Sequence, residues 1–242
     1  MTDRIQKIQI FGERCSGTNY LERLLVQNLR NVTVQWEFGW KHWFHRPGVE
    51  QATDCLFVVI YRNPSDWVRS LHRNPWHANR ELRNAPFAEF IRREWWCIWD
   101  EHADIFPGDP KYGQELMMDR CPETGQRFAN VLRMRTAKIR NWKSLEKLTA
   151  HNMQVRYEDI SPDPDMFLTT LSERFRIKRR RLFLDVAGEK GRGGVYARKV
   201  YAPLCPEDRQ HLKKELDLEL EQEIGYRLDS RGSGILPTAA PV

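Results

Sequence analysis

No apolar run in this chain approaches the roughly 18 residues that a membrane-spanning helix needs. Its first residues, Met1-Thr2-Asp3-Arg4, lead straight into a predicted strand without the apolar core of a signal segment, so a cytoplasmic protein with no membrane span is expected. Cysteines are few: five, widely spaced, with no C-x-x-C pair. The odd count argues against a disulfide framework, and no metal site is expected. Charge of one sign is not dominant either. The 39 Lys and Arg are set against 33 Asp and Glu, a net +6. That excess does not mark a nucleic-acid binder, and no nucleic-acid partner is expected. The densest basic run, Arg176-Ile177-Lys178-Arg179-Arg180-Arg181, reads first as a solvated helix end or loop, then as a rim attracting an anionic ligand, and last as a nucleic-acid patch. No internal repeat is present.

What is there fits a folded globular chain: 40% hydrophobic and 30% charged residues over 242 positions. One domain over residues 1–228 is the simplest organisation. The tail, 229–242, is rich in Gly, Ser and Pro without periodicity and is expected to be disordered. Predicted strands cover 5–11, 32–36, 56–61 and 153–157. Predicted helices cover 18–29, 64–71, 87–103, 128–148, 163–175 and 207–223. Such alternation implies an α/β fold with a central parallel sheet flanked by helices on both faces. Residues 105–124, rich in Pro, Gly and Asp, read as a long loop or lid where acceptor specificity could reside.

Two segments carry chemistry. The first is Gly12-Glu13-Arg14-Cys15-Ser16-Gly17-Thr18-Asn19, between a strand and a helix. Its glycines have the G-x-x-x-x-G spacing of a phosphate-binding loop, but Thr18 stands where a nucleoside triphosphatase has Lys. Backbone N–H groups and the positive end of the helix dipole can still cradle an anion. Taken alone, this spacing can also be ordinary turn chemistry. The second segment is the strand Leu56–Tyr61, continuously apolar as in a buried parallel strand, ending in Arg62-Asn63-Pro64. Arg62 therefore sits at a carboxyl strand end, where open α/β sheets place ligands. Ser70 follows eight residues later, about two helical turns on. Singly, these two read as a strand-end cation and a surface hydroxyl.

Together the segments resemble the sulfotransferases that use 3′-phosphoadenosine 5′-phosphosulfate (PAPS). Cys15-Ser16-Gly17-Thr18-Asn19-Tyr20-Leu21 is similar to that family's 5′-phosphosulfate loop, K-S-G-T-T-W-L. Arg62-Asn63-Pro64 with Ser70 resembles its 3′-phosphate element. Val155–Ile160 resembles the V-R-Y-E-D-L strand end. Lys190-Gly191-Arg192-Gly193-Gly194-Val195-Tyr196 resembles the late K-G-x-x-G-x-W loop, and Glu223-Ile224-Gly225-Tyr226 the L-G-Y that ends the last helix of many members. The resemblance spans residues 5 to 228. It implies a P-loop-like sulfotransferase architecture, PAPS as sulfuryl donor and a hydroxyl-bearing acceptor, either carbohydrate or small molecule. Membrane-anchored Golgi carbohydrate sulfotransferases resemble the same core; the absence of an anchor here suggests a soluble bacterial member.

The departures are specific. The family's loop Lys aligns with Cys15, and Arg14, one position earlier, is the candidate replacement. Glu189 and Ala197 stand where Arg and Lys are common, with Arg198 and Lys199 following. By the resemblance, Arg14, Cys15, Ser16, Gly17, Thr18 and Asn19 hold the 5′-phosphosulfate, Arg62 and Ser70 the 3′-phosphate, and Lys190, Gly191, Arg192, Gly193 and Gly194 close over the nucleotide. Tyr157 contacts the adenine, while Glu158 and Asp159 brace the site.

Sulfuryl transfer needs an in-line acceptor, a base for its proton, and a cation for the bridging oxygen's growing charge. His42, in Phe38–His45 after the second predicted strand, is the candidate base, since imidazole accepts a proton near neutral pH. His45 and Glu13 are the alternatives. Lys41 is the candidate for stabilising the transferring group, together with Arg14. Of nine tryptophans, Trp95 and Trp99 share a face of a predicted helix and read as core. Trp40, Trp43 and Trp76 are better acceptor-stacking candidates. Two rival classes remain: a kinase with a degenerate loop, and a catalytically silent nucleotide-binding module.

Overall fold

The computed structural model describes residues 4–186, 200–228 and 234–235. In chain order the strands are β1 (Lys7–Gly12), β2 (Thr33–Gln35), β3 (Cys55–Tyr61), β4 (Asn152–Arg156), β5 (Tyr226–Arg227) and β6 (Gly234–Ile235). The helices are α1 (Thr18–Asn28), α2 (Pro64–Arg73), α3 (Arg80–Asn84), α4 (Phe87–Phe90) and α5 (Val131–Lys143). They continue with α6 (Leu145–Leu148), α7 (Tyr157–Ile160), α8 (Pro164–Phe175), α9 (Pro206–Glu215) and α10 (Leu218–Glu223). Two compact units result, one of residues 1–63 with 142–202, the other of residues 64–141 with 203–242. No helix among the described residues is long and apolar enough to cross a membrane.

The first unit is an α/β fold built on a four-stranded sheet in the order β2-β1-β3-β4, every pair parallel. Alternate residues of a strand face opposite sides. On one side Ile8, Ile10, Leu56, Val58 and Ile60 join Leu21, Leu24 and Leu25 of α1 and Leu168 and Leu171 of α8 in a single core. On the other side Phe11 stacks on Trp142, with ring centroids 6.3 Å apart, and Phe57 meets Phe38 edge-on at 5.1 Å. All seven residues of β3 are buried, as its unbroken apolar run requires. Gln9, fully buried on the same side as Phe11, is satisfied by the next turn. Its amide donates to the Gly39 carbonyl at 3.0 Å, and its side-chain oxygen accepts the Phe38 N–H at 3.4 Å. A single polar residue inside β1 thus anchors the segment that carries Trp40, Lys41 and His42.

The basic run at 176–181 is partly structural. Arg176 ends α8 in a left-handed conformation, φ 53°, and the Arg30 N–H donates to Lys178 while the Arg180 N–H donates to Asn28, at 2.8 and 2.7 Å. Arg179 also pairs with Asp165.

Three predicted helices are corrected by the structure. The 87–103 helix stops at Phe90. Trp95 instead bridges Phe128, Cys97 bridges Ala78 and Ile98 bridges Glu115, all antiparallel. Aromatic and β-branched residues fit an extended backbone better than a helix once partners are available. Trp95 and Trp99 therefore share no helix face, although Trp95 is fully buried. The 128–148 helix begins only at Val131 because the Asn130 side chain caps it, accepting the Leu132 and Arg133 N–H groups at 3.0 Å each, and it ends at Lys143, with Leu145–Leu148 a separate short helix. The 207–223 helix is two helices. Leu216 is extended and Asp217 caps α10 through the Leu220 N–H at 3.1 Å. In the tail, β6 pairs antiparallel with β5; residues 229–233 and 236–242 lie outside the described residues.

Candidate anion-binding and catalytic site

β1 passes through α1 to β2 on one side, whereas β3 lies on the other, so the strand order reverses between β1 and β3. Beyond the carboxyl ends of strands at such a reversal lies the usual ligand crevice of an open α/β sheet. The loop of residues 12–17 leaves β1 here, and Arg62-Asn63 leaves β3 here.

Local chemistry shapes the loop. A Cβ on Gly12 would stand 2.6 Å from the Ile60 carbonyl oxygen, so only glycine lets the two strands end side by side. The Ser16 N–H and hydroxyl both donate to the Glu13 carbonyl, at 3.1 and 2.7 Å, closing a tight turn. Cys15 and Gly17 then adopt left-handed backbone, φ 67° and 102°. α1 starts at Thr18 with no side chain capping its N-terminus. Its first N–H groups and the positive end of its dipole thus face the loop without a side-chain acceptor.

Arg62 closes the other side. It is 6% exposed, its Nη1 donates to the Cys15 carbonyl at 2.9 Å, and its guanidinium lies 5.4 Å from the Tyr157 ring centroid. Tyr157 itself packs on Gly17 and edge-on to Tyr20 at 6.2 Å. Burial, and secondarily the Asp185 charge, push the Tyr20 phenol up to about 12, which keeps it protonated. Glu158, also buried, accepts the Asn63 N–H at 3.0 Å and fixes the turn that carries Arg62. Asp159 pairs with Arg156 at 2.7 Å.

The third component comes from the segment pinned by Gln9. The Gly12 N–H donates to the Lys41 carbonyl at 2.9 Å, so residues 40–42 run beside the end of β1. His42 is buried, with its Nδ1 2.7 Å from the Gly12 carbonyl oxygen. A carbonyl can only accept, so Nδ1 carries the proton and Nε2 is the nitrogen able to take another. Trp40 meets His42 edge-on at 4.5 Å, and the Arg14 guanidinium lies 5.6 Å from the Trp40 ring centroid. Arg14, Trp40 and His42 thus form one cluster against the loop.

The Lys41 ammonium is held by Asn19 Oδ1 and Glu22 Oε2, each at 2.7 Å, and lies 5.2 Å from the Trp36 ring centroid. That places it as a strut between the 40–42 segment and α1. His45 uses both ring nitrogens, bonding the Ser144 hydroxyl and the Arg46 carbonyl at 3.1 Å each. Glu13 is buried inside the loop. Ser70 belongs to the second unit, where it lies in α2 and its carbonyl accepts the Asn74 N–H at 3.0 Å. Lys190, Gly191, Arg192, Gly193 and Gly194, with Glu189, Ala197, Arg198 and Lys199, lie outside the described residues.

No known family model matches this chain, and no curated protein does. Sequence reasoning missed the part of Gln9, whose only signal is a polar residue inside an apolar strand, and the packing of Arg14 on Trp40.

Proposed function

We propose that the chain is a sulfotransferase taking a sulfuryl group from PAPS to an acceptor hydroxyl. The observation that carries this reading is the Arg62 bond to the Cys15 carbonyl. It ties a buried cation at the end of β3 to an uncapped, left-handed loop at the end of β1, giving two anion-attracting groups at one point of the sheet. A nucleotide with phosphates at two separate positions matches such a pair.

In this reading the loop from Arg14 to Asn19 and the α1 N-terminus hold the 5′-phosphosulfate, and Arg62 holds the 3′-phosphate. The donor supplies an activated sulfuryl group, and no metal is required. The acceptor oxygen forms a bond to sulfur as the bond from sulfur to the bridging phosphate oxygen breaks, leaving a sulfate ester and adenosine 3′,5′-bisphosphate. His42 Nε2 takes the acceptor's proton; its Nδ1–H, anchored on the Gly12 carbonyl, fixes the tautomer and the ring plane. Arg14, stacked on Trp40 beside that ring, offsets negative charge growing on the leaving oxygen. Lys41, engaged with Asn19 and Glu22, acts by positioning the segment.

The test is a thermal-shift titration with adenosine 3′,5′-bisphosphate, with ATP and magnesium in parallel. A ligand that binds only the folded state raises its apparent stability. Stabilisation by the bisphosphate is the expected result. Stabilisation by ATP and magnesium alone would favour a phosphotransferase, and a response to neither would sink both readings. Tight bisphosphate binding without transfer to any acceptor would favour a silent nucleotide-binding module.

A further inference from the structure

The second unit contains a pocket of about 250 Å³ lined by Arg73, Asn74, Pro75, Trp76, Arg83 and His102. Behind it lies Asp100, only 2% exposed. Its Oδ2 accepts the His102 Nδ1–H at 3.1 Å and its Oδ1 the His102 backbone N–H at 3.0 Å. Holding the residue at both points fixes the imidazole with its proton on Nδ1 and its lone pair on Nε2. The Arg83 guanidinium pairs with the same carboxylate, and its Nε donates to the Ala78 carbonyl at 2.6 Å. Trp76 stands edge-on to the His102 ring at 4.9 Å. The Arg73 side chain, exposed at the end of α2, makes no hydrogen bond or ion pair among the described residues.

The charge balance favours an anion. Asp100 cancels one of the two guanidinium charges. The C-terminal end of α2 contributes about half a negative charge, against the full positive charge of Arg73. No carboxylate lines the pocket. His102 Nε2 asks for a different group, a hydroxyl that can donate to it, and an indole beside it suits the C–H face of a sugar ring. The volume admits one ring of that size.

We propose that this pocket binds an anionic monosaccharide. Arg73 and Arg83 grip its phosphate, sulfate or carboxylate, and His102, held by Asp100, accepts a ring hydroxyl. Nothing in this assignment depends on the nucleotide site of the first unit.

The experiment follows the His102 imidazole resonances by NMR while the full chain is titrated with glucose 6-phosphate, with glucose and inorganic phosphate as separate probes. Glucose 6-phosphate should move the His102 signals at lower concentration than either fragment. Arg73→Gln should weaken that binding about tenfold, the worth of one charge-assisted hydrogen bond. Its side chain is exposed and unbonded, so the fold is retained. Arg62→Ala should leave the response unchanged, which separates this pocket from the loop after β1. His102 signals that ignore glucose 6-phosphate at tens of millimolar would overturn the proposal. So would equal binding by wild type and Arg73→Gln, or a response to glucose 6-phosphate no stronger than to phosphate.

Discussion

The Arg62 guanidinium donates from Nη1 to the backbone carbonyl of Cys15 at 2.9 Å, across 47 residues of sequence. That carbonyl belongs to a non-glycine residue with φ 67°, a conformation an L residue adopts at a cost. The bond therefore helps hold the loop in a shape it would not choose alone. It also fixes the guanidinium, which would reduce the conformational entropy lost on binding the proposed anion.

Arg62→Ala should lower affinity for adenosine 3′,5′-bisphosphate by about tenfold to a hundredfold, the range of a hydrogen bond to a charged group. Arg62→Lys keeps the charge but loses the planar fork, and should recover only part of the loss. Calorimetric titration of both variants checks this. Equal affinity for wild type and Arg62→Ala would remove Arg62 from the proposed nucleotide site.

Gly17→Ala should destabilise the fold by about 2–4 kcal/mol for two separable reasons. The backbone is left-handed at φ 102°, and the new Cβ would stand 2.6 Å from Tyr157 Cδ2. Removing the ring relieves the second cost and not the first. In urea unfolding, Gly17→Ala with Tyr157→Ala should therefore be less unstable than the sum of the single variants, by about 1–2 kcal/mol. Strict additivity would show that the ring does not press on the loop.

Much of this arrangement is legible in the sequence. The apolar run of β3 and the glycine spacing after β1 locate the sheet and the loop, because burial on both faces and positive φ each demand specific residue types. Arg62 is legible because it ends a strand. The 87–103 segment is not, since Trp95, Trp96, Cys97, Ile98 and Trp99 satisfy a helical and an extended pattern alike. The choice is made by Phe128, Ala78 and Glu115, which are remote in sequence. Buried charges escape for the same reason. Lys138 and Asp119 pair at 2.5 Å with side chains 1% exposed, and nothing within α5 announces the partner. The fate of Lys41 likewise depends on Glu22.

His42 and His45 separate cleanly. His42→Ala should slow release of adenosine 3′,5′-bisphosphate from PAPS in the presence of acceptor by about 10²–10⁴-fold while nucleotide affinity changes little, since a base acts on the proton and not on the phosphates. His45→Ala should cost stability through the lost Ser144 and Arg46 bonds and leave turnover nearly unchanged. The reverse pattern in rapid-quench turnover would transfer the role of base to His45.

Glu115 gives the second unit a defined acid sensitivity. Its carboxylate accepts two bonds from Arg120, at 2.8 and 2.9 Å, and from Arg127 it accepts Nη2 at 2.7 Å and Nε, shared between both oxygens at 3.1 Å, while Arg127 also reaches Glu94 and lies 4.3 Å from the Trp96 ring centroid. The Arg120 hydrogen bonds, then those from Arg127, outweigh desolvation and hold the Glu115 carboxyl well down, at about 2 against an ordinary 4.5. A carboxyl lowered on folding contributes stability that is complete above its unfolded value and is lost as the pH falls through the folded one. The window therefore runs from pH 4.5 down to about 2. Glu115→Gln should cost about 1–3 kcal/mol at neutral pH and little near pH 2, because the folded wild-type group is then about half protonated and most of its charge-dependent contribution is gone. Urea unfolding of the full chain at neutral and acid pH measures both quantities. A constant difference between wild type and variant across that window would show that Glu115 holds Arg120 and Arg127 by shape alone, without its charge.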